Sequence, residues 1–248
     1  MQFAISMPQR FADGVFDPRA FRSFLGRAEA LGFESAWAQE QVLGRFPQLG
    51  PTETMTFAAA CTEHIRLGCA VYVSPLHNPV HLAKSLSTLD QLCGGRLEVG
   101  VGAGGKHRPF AAFGIDPESY IARFTEGVAL MKACWSEPTI TFDGRFWQLH
   151  GVAMEPKPVQ KPFPRLWFGG GHANALRRAA RLVSQNLAQI YAHISADFSK
   201  VAVFGSPRTC IEGVREVIDA GAELVLFTPL HDEAAQMERL TAEVVAAF

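Results

Sequence analysis

The chain has 248 residues, 48% of them apolar, and a formal net charge of −1. That length suits one large α/β unit. The balanced charge, with no basic block, gives no electrostatic support to nucleic-acid or membrane-surface binding.

Gln2–Met7 reads as a short apolar strand, closed by Pro8. Asp17-Pro18 opens a helix, Asp as cap and Pro where a missing N–H costs nothing. Phe21, Phe24, Leu25, Ala28 and Leu31 make its stripe, and Gly32 ends it. Phe33–Ala38 is the second strand, Pro51–His64 the second helix and Ile65–Val73 a near-continuous apolar strand, as a parallel strand covered on both faces should be. Asn78-Pro79 caps a third helix that Gly94-Gly95 stops, and Arg96–Val101 is a fourth strand. Strand–helix repetition predicts parallel strands with right-handed crossovers. Pro117–Trp135 is a long amphipathic helix, and Thr139–Leu149 alternates around Asp143-Gly144 as a hairpin. Pro156–Pro164 is an extended, proline-rich connector. Residues 106–164 thus form a helix–hairpin insertion in a single domain covering 1–248.

Leu166–Arg178, LWFGGGHANALRR, is the order strand, glycine loop, helix start. Gly169, Gly170 and Gly171 allow close backbone approach, and the unpaired N–H groups that follow suit a phosphate. His172 adjoins that turn, and Arg177 and Arg178 could screen the same group. Leu176, Ala180, Val183, Leu187, Ile190 and Ile194 keep helical spacing, predicting one helix from Asn174 to about Phe198. Lys200–Phe204 and Glu223–Phe227 are strands, and Pro207–Ala220 and Asp232–Ala247 helices. The expected fold is a TIM-type (β/α)8 barrel shortened by about one strand between residues 183 and 200.

Cys61, Cys69, Cys93, Cys134 and Cys210 show no metal or redox spacing and read as reduced. His64, His77, His81, His150, His193 and His231 converge on no ligand pattern, so no metal is expected. MQFAISMPQR lacks the form of a secretion signal, and no run nears the roughly 20 apolar residues of a membrane helix. A cytoplasmic protein is expected.

Several stretches together resemble the bacterial luciferase-like family of flavin- and deazaflavin-dependent oxidoreductases, with the short mycobacterial-type F-420 members the nearest likeness. They are ALGFESAWAQEQ at Ala30–Gln41, TEHIRLGCAVYVSPLHNPVHLAKSLSTLDQLCGGRLEVGVGAGG at Thr62–Gly105, FDGRFWQLHGVAMEPKPVQKPFPRLWFGGG at Phe142–Gly171, ALRRAARL, and the tail GSPRTCIEGVREVIDAGAELVLF. The resemblance implies coenzyme F-420, or alternatively FMN, at the carboxyl ends of the strands. It implies a non-proline cis peptide at Ala70–Val71 beneath the central ring, the Gly102–Gly105 loop with Gly104 along the phosphate tail, and Gly169–Gly171 on the phosphate. Glu40 matches the acid of an acid–histidine pair, while Gln41 replaces the histidine and cannot take a proton at neutral pH. Sugar-phosphate-oxidising members place a glutamate after GVGAG, where this chain has Gly105, so sugar-phosphate oxidation is not expected, and His107 is then the titratable group expected nearest the site. The loops Val42–Thr52 and Lys106–Asp116 would set specificity but carry no distinctive chemistry.

The function so implied is hydride transfer between F-420 and a small organic substrate. The alternatives are an FMN-dependent monooxygenase and a non-catalytic flavin-binding protein with a degenerate site. Similar proteins pair through early helices, so a homodimer is expected.

Overall fold

The computed structural model describes residues 1–11, 14–105, 108–170, 178, 190–191, 203, 205–229 and 231–248. Its strands are β1 (Gln2–Ser6), β2 (Ser35–Ala38), β3 (Arg66–Val73), β4 (Leu97–Gly102), β5 (Ile140–Asp143), β6 (Gln148–Val152), β7 (Arg165–Gly169), β8 (Ile190–Tyr191) and β9 (Leu224–Phe227). Its α-helices are α1 (Pro18–Ala30), α2 (Pro51–Ala59), α3 (Pro79–Leu92), α4 (Tyr120–Ser136), α5 (Pro207–Asp219) and α6 (Glu233–Glu243). Seven strands form one parallel sheet in the order β8-β7-β4-β3-β2-β1-β9, curled into a half-barrel. Among the described residues, no helix is long and apolar enough to cross a membrane.

Period-two alternation divides the sheet residues between two cores. The outward set, including Ile5, Ala36, Leu67, Val99 and Phe168, packs under the helices with Phe21, Leu25, Met55, Leu86 and Trp135. The inward set is a separate cluster of Ala4, Trp37, Ala70 and Trp167. The two indoles meet edge to face, 5.4 Å between centroids. Gly68 makes room for Trp37, because a Cβ there would stand 2.5 Å from its ring. Below the indoles, Glu98 is buried and accepts from Trp167 Nε1 at 2.6 Å, while Arg66 and Arg165 pair with its other oxygen.

The caps read from sequence hold their helices. Asp17 Oδ1 accepts from Arg19 and Ala20, and Asn78 Oδ1 from Val80 and His81. The second helix, expected to reach His64, stops at Ala59 because the chain must turn into β3. The Glu29 carboxylate receives that turn, accepting the N–H groups of Glu63, His64 and Ile65. Burial, the largest single influence, pushes the Glu29 carboxyl upward, but the three N–H bonds outweigh it and hold the group below its usual range. A depressed carboxylate contributes stability above its unfolded pKa and loses it as pH falls through the folded value. We expect Glu29→Gln to cost about 1 kcal/mol at pH 7 and to flatten the loss of stability below about pH 4.3, read from urea midpoints across pH. An unchanged acid limb would remove Glu29 from this role.

Three expectations need correction. The hairpin turn is not centred on Asp143-Gly144: Asp143 pairs with Gln148, and Gly144 N–H donates to Trp147 across a four-residue loop. Glu126 of α4 accepts the N–H groups of Arg145, Phe146 and Trp147, which makes the longer loop favourable. The helix expected from Asn174 to Phe198 fails at Ile190–Tyr191, which pair in parallel with Phe168 and Gly169. Spacing alone cannot separate a helix from a short buried strand, and β7 offers these residues an edge with unpaired backbone groups. Arg178, within the expected helix, is helical, while Val203 lies in no strand, against the reading of Lys200–Phe204; the rest of both segments lies outside the described residues. In the segment expected as an insertion, α4 lies against α3, with Trp135 Nε1 donating to Ala83 O at 2.9 Å, and it occupies the crossover from β4 to β7.

Candidate active site

The carboxyl ends of β2, β3, β4 and β7 form one rim, and most of the described candidates lie on it. The peptide bond between Ala70 and Val71 is cis, at the bond the resemblance marks. The pairing of β3 with β4 is irregular between Cys69 and Tyr72. Ala70 joins the inward indole cluster, and Val71 packs against it. The glycines around Val71 are there for space. A Cβ on Gly102 would lie 2.7 Å from Val71 Cγ2, and one on Gly169 would lie 3.1 Å from Val71 Cγ1. Gly104 has φ +73°, and a Cβ there would meet Val73 Cγ1 at 2.8 Å. Gly170 follows at φ 153°. Of the glycines read for phosphate approach, Gly102 is therefore also needed by Val71, and Gly169 is in tight contact with it, whatever else they serve.

Glu40 ends buried beyond β2, its side chain 3% exposed. One carboxylate oxygen accepts Val73 N–H at 2.6 Å and the other meets His77 Nε2 at 2.6 Å. Glu40 thus ties the end of β2 to the end of β3. His77 also stands edge-on to Tyr72, whose buried hydroxyl bonds Thr52 Oγ1 at 2.8 Å. Burial pushes the Tyr72 phenol and the Cys69 thiol well up, so both stay protonated at neutral pH. Gln41 turns toward its own loop, its Nε2 filling the space a Cβ on Gly44 would need.

Sequence reasoning set His77 aside with the other histidines. The signal was present: neighbouring parallel strands deliver the residues after their ends to one rim, and His77 follows β3 as Glu40 follows β2. His107, Gly171, His172 and Arg177 lie outside the described residues. Among the described residues, no three His, Cys, Asp or Glu gather as for a metal.

A flat ring fits the apolar surface described here. Val71 presents an apolar surface between backbones without side chains at Gly102 and Gly169, and the rim holds a buried, unpartnered Ser74 Oγ.

The model of the luciferase-like monooxygenase family matches residues 1–196, and the chain belongs to that family. It is 31% identical over 163 residues to an FMNH(2)-dependent dimethylsulfone monooxygenase of Pseudomonas putida, covering 63% of this chain and 44% of that one. It is 32% identical over 165 residues to an F420-dependent glucose-6-phosphate dehydrogenase of Kineococcus radiotolerans, covering 63% and 48%. The chain spans about half the length of the curated relatives it matches. Monooxygenase RslO1 from Streptomyces bottropensis shares the fold with a TM-score of 0.80 at 19% identity, over 100% of this chain and 99% of that one.

Proposed function

We propose that the chain is an oxidoreductase moving a hydride between coenzyme F-420 and a small organic substrate at this rim. The observation that carries the reading is Val71, seated between Gly102 and Gly169 at the carboxyl end of the sheet. The cofactor class supplies hydride chemistry when bound.

The chain's own residues position and shield. Val71 offers one face for a planar ring, over the closed floor of Ala70, Trp37 and Trp167. Open backbone at Gly102, Gly104, Gly169 and Gly170 serves the phosphate-bearing tail. Gly171, His172 and Arg177 extend that tail site in this reading. Glu40 holds the ends of β2 and β3 together through Val73 N–H and His77. With Gln41 unable to take a proton, the Glu40–His77 pair handles protons at this rim, and His107 is a further candidate.

A second reading, oxygenation with FMN, is favoured by the likeness to the dimethylsulfone monooxygenase. Titration of the purified, ligand-free chain with F-420 and FMN, followed by fluorescence and calorimetry, separates the two. F-420 is expected to bind at least about tenfold tighter, a difference of about 1.4 kcal/mol. Tighter FMN binding, with oxygen uptake once it is reduced, would move the assignment to the second reading. Binding of neither would defeat both.

A further inference from the structure

We propose that the loop between β2 and α2, residues 39–49, is a lid whose apolar head closes over a cofactor bound at the rim, with Gln9 clasping its neck. This rests on the proposed reading of the rim and names how that site is closed to water.

The neck is held by one buried side chain. Gln9 is 4% exposed and lies just beyond β1. Its Oε1 accepts Gln39 N–H at 2.6 Å, and its Nε2 donates to Gln39 O at 3.2 Å and to Leu49 O at 3.1 Å. An amide accepts and donates at once, so this single group spans both ends of the loop. Leu49 N–H donates to Gln9 O at 3.2 Å, Arg10 Nε to Gln48 Oε1 at 2.9 Å and Gln48 Nε2 to Gln39 O at 2.9 Å, drawing the ends closer still. Glu40 adds its ties to Val73 and His77 on the β2 side. Surface loops whose ends meet in this way are frequently functional.

The head has the opposite character. Among the described residues, none forms a hydrogen bond with Gln41, Val42, Leu43, Gly44, Arg45 or Phe46. Val42, Leu43 and Phe46 stay 49%, 57% and 74% exposed. Val42 and Leu43 meet Leu76 and Phe113, from the loops after β3 and β4, around a gap of about 10 Å³, room for one water. The head thus leans toward the strand ends but packs loosely on them. Firm ends and a head with few ties confine opening to the head. Apolar side chains exposed together on one short segment lose contact with water when a planar ring is bound beside them. Closure also removes water from the reacting face, which suits hydride transfer.

Limited digestion with trypsin tests the lid, because Arg45 is exposed in the middle of the head. The full chain is digested alone and with saturating FMN or F-420, with binding followed by fluorescence in the same samples. Cutting after Arg239, which requires α6 to open, reports general stabilisation. Bound cofactor is expected to slow the cut after Arg45 about tenfold more than the cut after Arg239. Leu43→Ser and Phe46→Ser change exposed residues, so each should keep the melting temperature while losing most of that protection and weakening cofactor binding. Gln9→Met should speed the Arg45 cut in the free chain; a cut no faster there overturns the assignment of Gln9 to the neck. A cofactor that binds with the Arg45 cut unchanged, or slowed only as much as the Arg239 cut, overturns the lid and leaves the proposed function standing. Full protection retained in both serine variants overturns the lid equally. A chain that binds neither cofactor defeats the proposed function, and the lid falls with it.

Discussion

Gly100→Ala is expected to destabilise the chain by more than about 3 kcal/mol. A Cβ on Gly100 would stand 2.1 Å from the carbonyl oxygen of Cys69, with the Cys69 carbonyl carbon and Val71 Cγ1 next, each at 3.2 Å. The obstacle at 2.1 Å is backbone in a central strand, so no rotamer change relieves it. Either β3 shifts away from β4 or the irregular pairing between Cys69 and Tyr72 is lost. For a chain of this size the melting temperature should fall by roughly 6–12 °C. Gly26→Ala is the control. It lies within α1 with nothing inside 4 Å of its Cβ position, so alanine should be neutral or stabilising by up to about 1 kcal/mol. A Gly100→Ala melting temperature within about 2 °C of the parent would mean that β3 does not approach β4 as described.

Glu98→Ala is expected to cost about 2–3 kcal/mol, because it removes a buried carboxylate and leaves the groups bonded to it without their acceptor. Glu98 is 1% exposed, and its loss leaves the Trp167 indole N–H without its acceptor at 2.6 Å and Arg66 and Arg165 without their carboxylate. Both arginines reach some solvent, which softens the charge penalty; the indole, 5% exposed as a residue, does not. Glu98→Gln should fall in between, since the amide oxygen still serves Trp167 while the charge is gone. Urea midpoints ordered parent, Gln, Ala would bear this out; an Ala variant as stable as the parent would show that the cluster contributes no net stability.

Much of the fold was legible because it rests on local chemistry. Asp17 and Asn78 before prolines announced two helices, and the apolar runs of β1 to β4 announced buried parallel strands. Glu40, Ala70 and Val71 were reachable through the stretches that resemble the luciferase-like family. What failed was also local. Ile190–Tyr191 carries the same apolar residues whether it is helix or strand, so only the edge of β7 decides. The hairpin loop follows Glu126, a helix residue distant in sequence, rather than the Asp143-Gly144 dipeptide.

The sequence by itself determined that this is a strand–helix protein with a parallel sheet, where most of its elements start, and which glycines crowd its rim. Periodicity, capping and turn chemistry act over a few residues, so they can be read along the chain. The tertiary structure alone decided that Gly102 and Gly169 make space for Val71, that His77 answers Glu40, and that Glu98 lies under the indoles. Each depends on which strands are neighbours and on the curl that brings their ends together, and a pairing of residues tens of positions apart leaves no periodic mark in a single sequence.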